Sequence, residues 1–193
     1  MRTLGPVVSA LALLIAVALA GVPAEAQAPA PKTSDPAAKP AETKKGPARV
    51  KQQAIITMEK GGDIVIEFYP EDAPKTVENF VTLAKKGFYD GLTFHRVVPD
   101  FVVQGGCPKG DGTGGPGYTV KAEFNKQKHV RGSVAMARSQ HPDSAGCQFY
   151  ITYGATPHLD NNYTVFGKVV AGMEEVDRIK QGDRMTTVAI EEA

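Results

Sequence analysis

Arg96 and Gln104 are the side chains whose types and spacing first suggest a chemical site. They lie in residues 94–106, where two short runs of aromatic and β-branched residues flank Pro99 and Asp100. Proline fixes φ and aspartate can hydrogen-bond its own backbone, so this dipeptide predicts a turn between two antiparallel strands. Arg96 then lies near the end of the partner strand. A cation, an amide and apolar surface can therefore converge on this hairpin.

The alternation of side chains along the second strand predicts which residues share a face. Val102 and Gln104 are expected on one face, and Phe101 and Val103 on the other. The ordinary alternative is a core hairpin whose Arg96 is a surface charge. These residues alone do not exclude that alternative.

Apolar residues near other strand ends could complete a site around this hairpin. Phe101, Tyr150 and Leu159 each fall near the end of a predicted strand or in a turn. Each one alone would be interpreted as a core residue. Together with Arg96 and Gln104 they suggest a shallow apolar pocket with a few polar groups at its rim.

Two other patterns resemble catalytic motifs but favour simple loops. His141, Asp143 and Ser144 lie too close together in the chain to point at a common atom, and no Gly-x-Ser-x-Gly elbow is present. Residues 110–115 match the Gly-x-Gly-x-x-Gly pattern of dinucleotide sites, but Pro116 follows where a helix should begin. Neither a nucleophilic hydrolase nor a nucleotide-binding protein is therefore expected.

The cysteines and histidines give little support for a metal site. The chain has two cysteines, Cys107 and Cys147, which allow one disulfide or two free, partly buried thiols. The sequence leaves both alternatives open. The histidines show no metal-ligand spacing with the cysteines; they are His95, His129, His141 and His158.

The remaining pattern predicts a mainly β domain with two helices. Pro74 suits a helix start, and Val77, Phe80 and Ala84 follow at the spacing of one helix face. A second helix is expected at 173–180. Strand-like runs occur at 53–57, 63–68, 132–137, 148–152, 165–170 and 186–191. With the hairpin, this element set favours an antiparallel barrel or sandwich that carries helices at its ends.

The amino-terminal segment predicts export. Arg2 precedes an uncharged apolar run at 7–20, and Ala24-Glu25-Ala26 has the small-x-small pattern of a cleavage site, so residues 1–26 are expected to be a signal peptide. An uncleaved membrane anchor is the alternative. A periplasmic or secreted location follows from cleavage, with no membrane association of the mature protein.

Residues 27–49 are rich in alanine, proline and lysine, which predicts a disordered linker before a folded domain at 50–193. The net charge of +1 provides no general attraction for nucleic acid, so no nucleic-acid partner is expected.

Several motifs, in order, resemble those of the cyclophilins, the peptidyl-prolyl cis–trans isomerases. The resemblance spans about 53–190. It rests on PKTVENF at 74–80, FHR at 94–96, QGG at 104–106, GTGG at 112–115, SVAMA at 133–137, QF at 148–149 and VFGKV at 165–169. It implies a closed eight-stranded antiparallel barrel capped by two helices, with the site on its outer face. It also implies a monomeric enzyme without a cofactor that accelerates rotation about X-Pro bonds in proline-containing polypeptides, here unfolded or exported client proteins.

The resemblance also implies roles for individual residues. Arg96 resembles the catalytic arginine, and the residues that would contact substrate are Phe101, Val102, Gln104, Ala137, Arg138, Gln148, Tyr150, His158, Leu159 and Tyr163. Tyr150 stands where the family usually has phenylalanine, and Arg138 replaces a common asparagine. A proline-segment binding module or chaperone without significant turnover is the remaining alternative, against which the presence of both Arg96 and Gln104 argues.

Overall fold

Eight antiparallel strands form one curled sheet in the computed structural model, which describes residues 51–192. The predicted signal peptide and the whole of the predicted linker lie outside the described residues. The strands are β1 (Gln52–Met58), β2 (Asp63–Phe68), β3 (Arg96–Val98), β4 (Val102–Gly105), β5 (Ser133–Met136), β6 (Phe149–Thr152), β7 (Val165–Ala171) and β8 (Met185–Glu192). Helix α1 spans Pro74–Lys85 and helix α2 spans Met173–Arg178. The predicted strands and helices are therefore confirmed to within about two residues at each end.

The order of the strands leaves the two ends of the sheet without a shared ladder. Hydrogen-bonded neighbours run β3-β4-β6-β5-β7-β2-β1-β8, so among the described strands β3 and β8 are the edges. A few backbone hydrogen bonds connect the segment before β3 with the segment at the start of β8. The Phe94 N–H donates to the Asp183 carbonyl at 2.8 Å, and the Met185 N–H donates to the Leu92 carbonyl at 2.9 Å. The mainly β fold with two helices is confirmed, whereas full closure of the barrel is not.

The two faces of the sheet carry different apolar clusters. The main core is formed by alternating residues such as Ile56 and Ile66 together with the α1 residue Phe80, all fully buried. A second, smaller cluster contains Val102, Ala135, Tyr150 and Val165, with partly buried neighbours packed on it. Since successive residues of a strand face opposite sides, this second cluster lies on the face of the sheet away from the main core.

Helix α1 begins at Pro74 as predicted, but a distant carboxylate completes its first turn. Glu123 accepts hydrogen bonds from the backbone N–H of Lys75 (3.0 Å) and of Thr76 (2.8 Å), and from the Thr76 hydroxyl (2.7 Å). Ala73 occupies the cap position and makes no side-chain cap bond. Glu123 therefore satisfies free N–H groups and places a negative charge at the positive end of the helix dipole.

We expect Glu123→Ala to lower the free energy of unfolding by about 1–2 kcal/mol, because the first turn loses its hydrogen-bond acceptor and its favourable charge. Glu71→Ala is the matched control, since Glu71 is an exposed carboxylate just before the same helix. Urea denaturation of both variants measures the difference. Equal midpoints for the two variants would contradict the capping role of Glu123.

Within residues 51–192, no helix combines the length and the apolar character required to cross a bilayer.

Candidate active site

A cavity of about 200 Å³ opens on the second cluster, and it brings together most of the predicted site residues. The residues come from β3, β4 and β6, from the turn between β3 and β4, and from the segments that follow β5 and precede β7. The lining consists of Arg96, Phe101, Val102, Gln104, Ala137, Arg138, Tyr150, Leu159 and Tyr163. The guanidinium of Arg96 and the amide of Gln104 thus lie beside an apolar wall, as the sequence predicts, with Arg138 as a second arginine at the rim.

A larger cavity, about 380 Å³, lies between the β1–β2 turn and α2. Its charged residues pair with one another, because Lys60 binds Asp183 and Arg178 binds Glu175. Volume alone would favour this cavity. We place the site in the smaller one, since an unpaired cation beside apolar surface is chemically more useful than neutralised ion pairs.

Arg96 and Gln104 lie directly opposite each other in the β3–β4 ladder. The guanidinium Nη1 donates to the Gln104 Oε1 at 3.4 Å. This long contact orients Arg96 weakly and leaves its other N–H groups available for a ligand. The predicted convergence of the cation and the amide is therefore confirmed.

Gln148 fixes the amide of Gln104 from behind. Gln104 Nε2 donates to Gln148 Oε1 at 3.0 Å. Gln148 Nε2 in turn donates to the carbonyls of Gly112 and Gly114, at 2.8 Å each. Because both N–H groups of Gln148 are used by carbonyls, its oxygen must face Gln104, and the oxygen of Gln104 must face Arg96. Gln148 supports the cavity without lining it.

Phe101 lies on the opposite face from the one that strand alternation predicts. It packs on the cluster that contains Val102, beside Gln104 in the cavity wall, whereas Val103 is buried in the main core. Phe101 precedes β4 and follows Asp100, whose φ is 60°. The period-two rule therefore does not apply at Phe101, because the chain there is still in the turn.

His158 lies next to the cavity rather than in its lining. Its ring stacks on Phe101, with 5.5 Å between centroids and 19° between planes. Ala137 lines the cavity, but its N–H already donates to the Gln148 carbonyl at 2.9 Å. Only the carbonyl of Ala137 could therefore pair with an extended peptide.

Arg138 joins the two loops at the rim of the cavity. Its guanidinium donates to the Asn162 carbonyl from Nε (3.1 Å) and Nη2 (2.9 Å), and to the Ser139 and Gln140 carbonyls from Nη1. It also lies over the Tyr163 ring, 4.7 Å from the centroid. These contacts hold the segment after β5 against the segment before β7.

Residues 54–193 match the family model described as cyclophilin type peptidyl-prolyl cis-trans isomerase/CLD. Peptidyl-prolyl cis-trans isomerase B of Bacillus subtilis is 52% identical over 136 residues, which cover 69% of this chain and 94% of that protein. This chain belongs to the cyclophilin-type peptidyl-prolyl cis–trans isomerases. The family and the isomerase activity predicted from the motifs are confirmed.

Further relatives support the assignment of this chain to the cyclophilin family. A peptidyl-prolyl cis-trans isomerase of Helicobacter pylori is 52% identical over 131 residues, covering 66% of this chain and 80% of the relative. A crystal structure of a Cryptosporidium parvum cyclophilin, in the presence of the dipeptide Ala-Pro, matches with a TM-score of 0.66 at 29% identity. It covers 73% of this chain and 99% of that one.

The glycine-rich loop of the cyclophilin is anchored on a thiol. Cys107 Sγ accepts the backbone N–H groups of Gly112 and Gly114, at 3.3 Å each. Burial alone would raise the pKa of Cys107, but the surrounding backbone donors outweigh it and lower that pKa. Burial raises the pKa of Cys147 to about 11. Both cysteines are free and buried, so of the two alternatives the structure has the free thiols.

His129 and Asp160 are neighbours of the cavity that the sequence did not single out, since His129 was considered only as a metal ligand and Asp160 not at all. His129 is 2% exposed and contacts the hydroxyl of Tyr150. Burial, and secondarily the charge of Tyr163, raises the pKa of Tyr150 well above its ordinary value. The one available signal was Tyr150 itself, since a tyrosine at an apolar position needs a partner for its hydroxyl.

We expect Gln148→Ala to lower kcat/KM of the cyclophilin about 10-fold, because Gln104 loses the acceptor that fixes its amide and a tenfold loss needs only about 1.4 kcal/mol. Gln140→Ala is the matched control, since Gln140 is exposed and its carbonyl contact to Arg138 is retained. A protease-coupled isomerase assay compares the two variants. Equal kcat/KM values would show that Gln148 does not orient Gln104.

Proposed function

We propose that this chain catalyses rotation about X-Pro peptide bonds at the 200 Å³ cavity, with Arg96 as the catalytic residue. The observation that carries the proposal is the opposition of Arg96 and Gln104 at the edge of an apolar wall. The X-Pro amide is planar and its isomers are separated by a barrier of roughly 18–20 kcal/mol. At the twisted transition state the proline nitrogen becomes pyramidal and basic. A guanidinium, which is always charged, can donate a hydrogen bond to it.

The apolar residues of the cavity supply the second half of the mechanism. Phe101, Val102 and Leu159 would hold the proline ring, while Gln104 would orient the peptide backbone. The hydrogen bond to nitrogen forms only after the amide twists, so it stabilises the transition state more than the bound substrate. Shortening tens of seconds to milliseconds is a gain of about 10⁴, which requires roughly 5–6 kcal/mol. No covalent intermediate is needed.

The substrate class we propose is the proline-containing segment of an unfolded polypeptide. The Ala-Pro dipeptide in the structure of the Cryptosporidium parvum relative supports this choice. Nuclear magnetic resonance titration with a short Ala-Pro peptide tests it, with Ala-Ala as the control peptide. We expect shifts at Arg96, Gln104 and Ala137. Shifts confined to the larger cavity near Gly62 and Glu175 would refute this location.

We further propose that the protein acts on exported client proteins in the periplasm or outside the cell, as a monomer. The apolar run at 7–20 and the Ala24-Glu25-Ala26 pattern support cleavage of residues 1–26, and the composition of 27–49 supports a linker before the domain at 50–193. Intact mass measurement on protein from cells tests the cleavage. We expect a mature terminus near Gln27, whereas recovery of residues 1–26 on the protein would favour an anchor.

A further inference from the structure

Three residues form a hydrogen-bonded chain behind the wall of the cavity: His129 and Tyr150 are buried, and Asp160 is partly buried. His129 Nε2 lies 3.0 Å from the Tyr150 hydroxyl, and His129 Nδ1 lies 3.0 Å from Oδ1 of Asp160. The backbone N–H of His129 donates to the same carboxylate oxygen at 2.9 Å. The rings of His129 and Tyr150 are nearly parallel, at 14°. The imidazole is thus held at both nitrogens between a carboxylate and a phenol.

The carboxylate decides which nitrogen of His129 carries the proton. The backbone N–H and then the side chain of His129 hold the pKa of Asp160 at about 2, so the carboxylate is ionised and can only accept hydrogen bonds. Nδ1 must therefore be the donor. Burial lowers the pKa of His129 despite the nearby carboxylate, which keeps the ring neutral near pH 7. Nε2 is then an acceptor, and the Tyr150 hydroxyl donates to it.

The direction of this hydrogen bond determines what Tyr150 presents to the cavity. Its hydroxyl proton points away from the cavity toward His129, so the part of the side chain that lines the cavity is the ring. Tyr163 packs edge-on against the same ring, with 5.8 Å between centroids and 83° between planes. A tyrosine can therefore stand in an apolar wall, because its polar group is satisfied behind that wall.

We propose that His129 and Asp160 are positioning residues of the isomerase site. They hold Tyr150 in place and keep its hydroxyl directed away from the cavity. The inference rests on the proposed location of the active site at this cavity. Neither residue lines the cavity, so neither touches the substrate there. Without the imidazole acceptor, the Tyr150 hydroxyl must find a water molecule or a ligand, and the wall loses its fixed position and its apolar surface.

A double-mutant cycle between His129 and Tyr150 tests the coupling. We expect His129→Leu to lower kcat/KM about 10-fold in the wild-type background, mainly by raising KM. In the Tyr150→Phe background, where no hydroxyl needs an acceptor, the same substitution is expected to cost less than about 2-fold. Loss of the Asp160 contact is common to both backgrounds and cancels. Equal losses in the two backgrounds would overturn the proposal.

A conservative variant and a spectroscopic measurement guard against poor folding of His129→Leu. His129→Gln can present an amide oxygen toward the Tyr150 hydroxyl, so it is expected to recover more than half of the activity that His129→Leu loses. In the wild-type protein, the ¹⁵N spectrum of the His129 ring is expected to show the neutral form protonated at Nδ1 at pH 7. A ring protonated at Nε2, alone or together with Nδ1, would overturn the proposal whatever the variants do.

Failure of this inference can be told from failure of the proposed site. If Arg96→Ala retains full activity, the cavity is not the active site and both proposals fail. If Arg96→Ala is inactive while the effect of His129→Leu is the same in both backgrounds, only the positioning role of His129 and Asp160 fails.

Discussion

Arg96→Ala is expected to lower kcat/KM for X-Pro isomerisation by about 100- to 1000-fold, the loss typical of removing one preorganised donor to a transition state. The β3–β4 ladder holds the guanidinium opposite Gln104, and its Nη1 donates to the Gln104 Oε1 at 3.4 Å. Because the hydrogen bond to the proline nitrogen exists only in the twisted state, most of the loss should appear in kcat rather than in KM. The protease-coupled assay measures both.

Two further arginine variants sharpen this test. Arg96→Lys keeps a positive charge but loses the planar fork, so we expect activity between that of wild type and that of Arg96→Ala. Arg178→Ala is the control for loss of an exposed arginine, because Arg178 lies on α2 and pairs with Glu175. It should change kcat/KM by less than about 2-fold, as surface ion pairs contribute little. Wild-type activity in Arg96→Ala would exclude the proposed mechanism.

Phe80→Ala is expected to lower the free energy of unfolding by about 3–5 kcal/mol, the cost typical of removing a buried aromatic ring from a core. Phe80 is fully buried on α1. Its ring centroid lies 4.9 Å from that of Tyr89, 5.5 Å from that of Phe149 and 5.3 Å from that of Phe166. The substitution therefore leaves a cavity between the helix and two strands of the sheet.

The matched control for Phe80→Ala is Phe124→Ala, since the Phe124 side chain is 43% exposed. We expect it to cost less than about 1 kcal/mol, because little apolar surface returns to water. Urea denaturation with a common slope compares the two variants. Similar midpoints would mean that the core around Phe80 can collapse around the missing ring.

Local sequence patterns predicted those parts of the fold that are decided within a few residues. Pro74 with the apolar face of Val77 and Phe80 predicted α1, and Pro99 with Asp100 predicted the turn between β3 and β4, because helix periodicity and turn chemistry are local properties. The predicted face of Phe101 was wrong for an equally local reason: the positive φ of the preceding residue, Asp100, interrupts strand alternation.

Contacts between distant parts of the chain were not predictable in this way. Glu123 approaches the first turn of α1 from 48 residues away, and Asp160 reaches His129 from 31 residues away. No local pattern encodes such pairs, and closure of the sheet depends equally on how its two ends meet. Most of the cavity lining was predictable by resemblance, which carries tertiary information that periodicity lacks. The His129 contact arises at Tyr150, a position that the motif resemblance alone would assign to phenylalanine, which has no hydroxyl to be paired.

The paired rings of Tyr150 and Tyr163 allow intrinsic tyrosine fluorescence to report on the cavity. The chain contains six tyrosines and no tryptophan, so tyrosine emission is not masked by a stronger fluorophore. Two of the six rings line the cavity and touch each other edge to face. A peptide that enters the cavity would lie against both rings and change their surroundings. Its occupancy can therefore be followed by ultraviolet fluorescence on unlabelled protein, without a reporter group that would itself occupy the cavity.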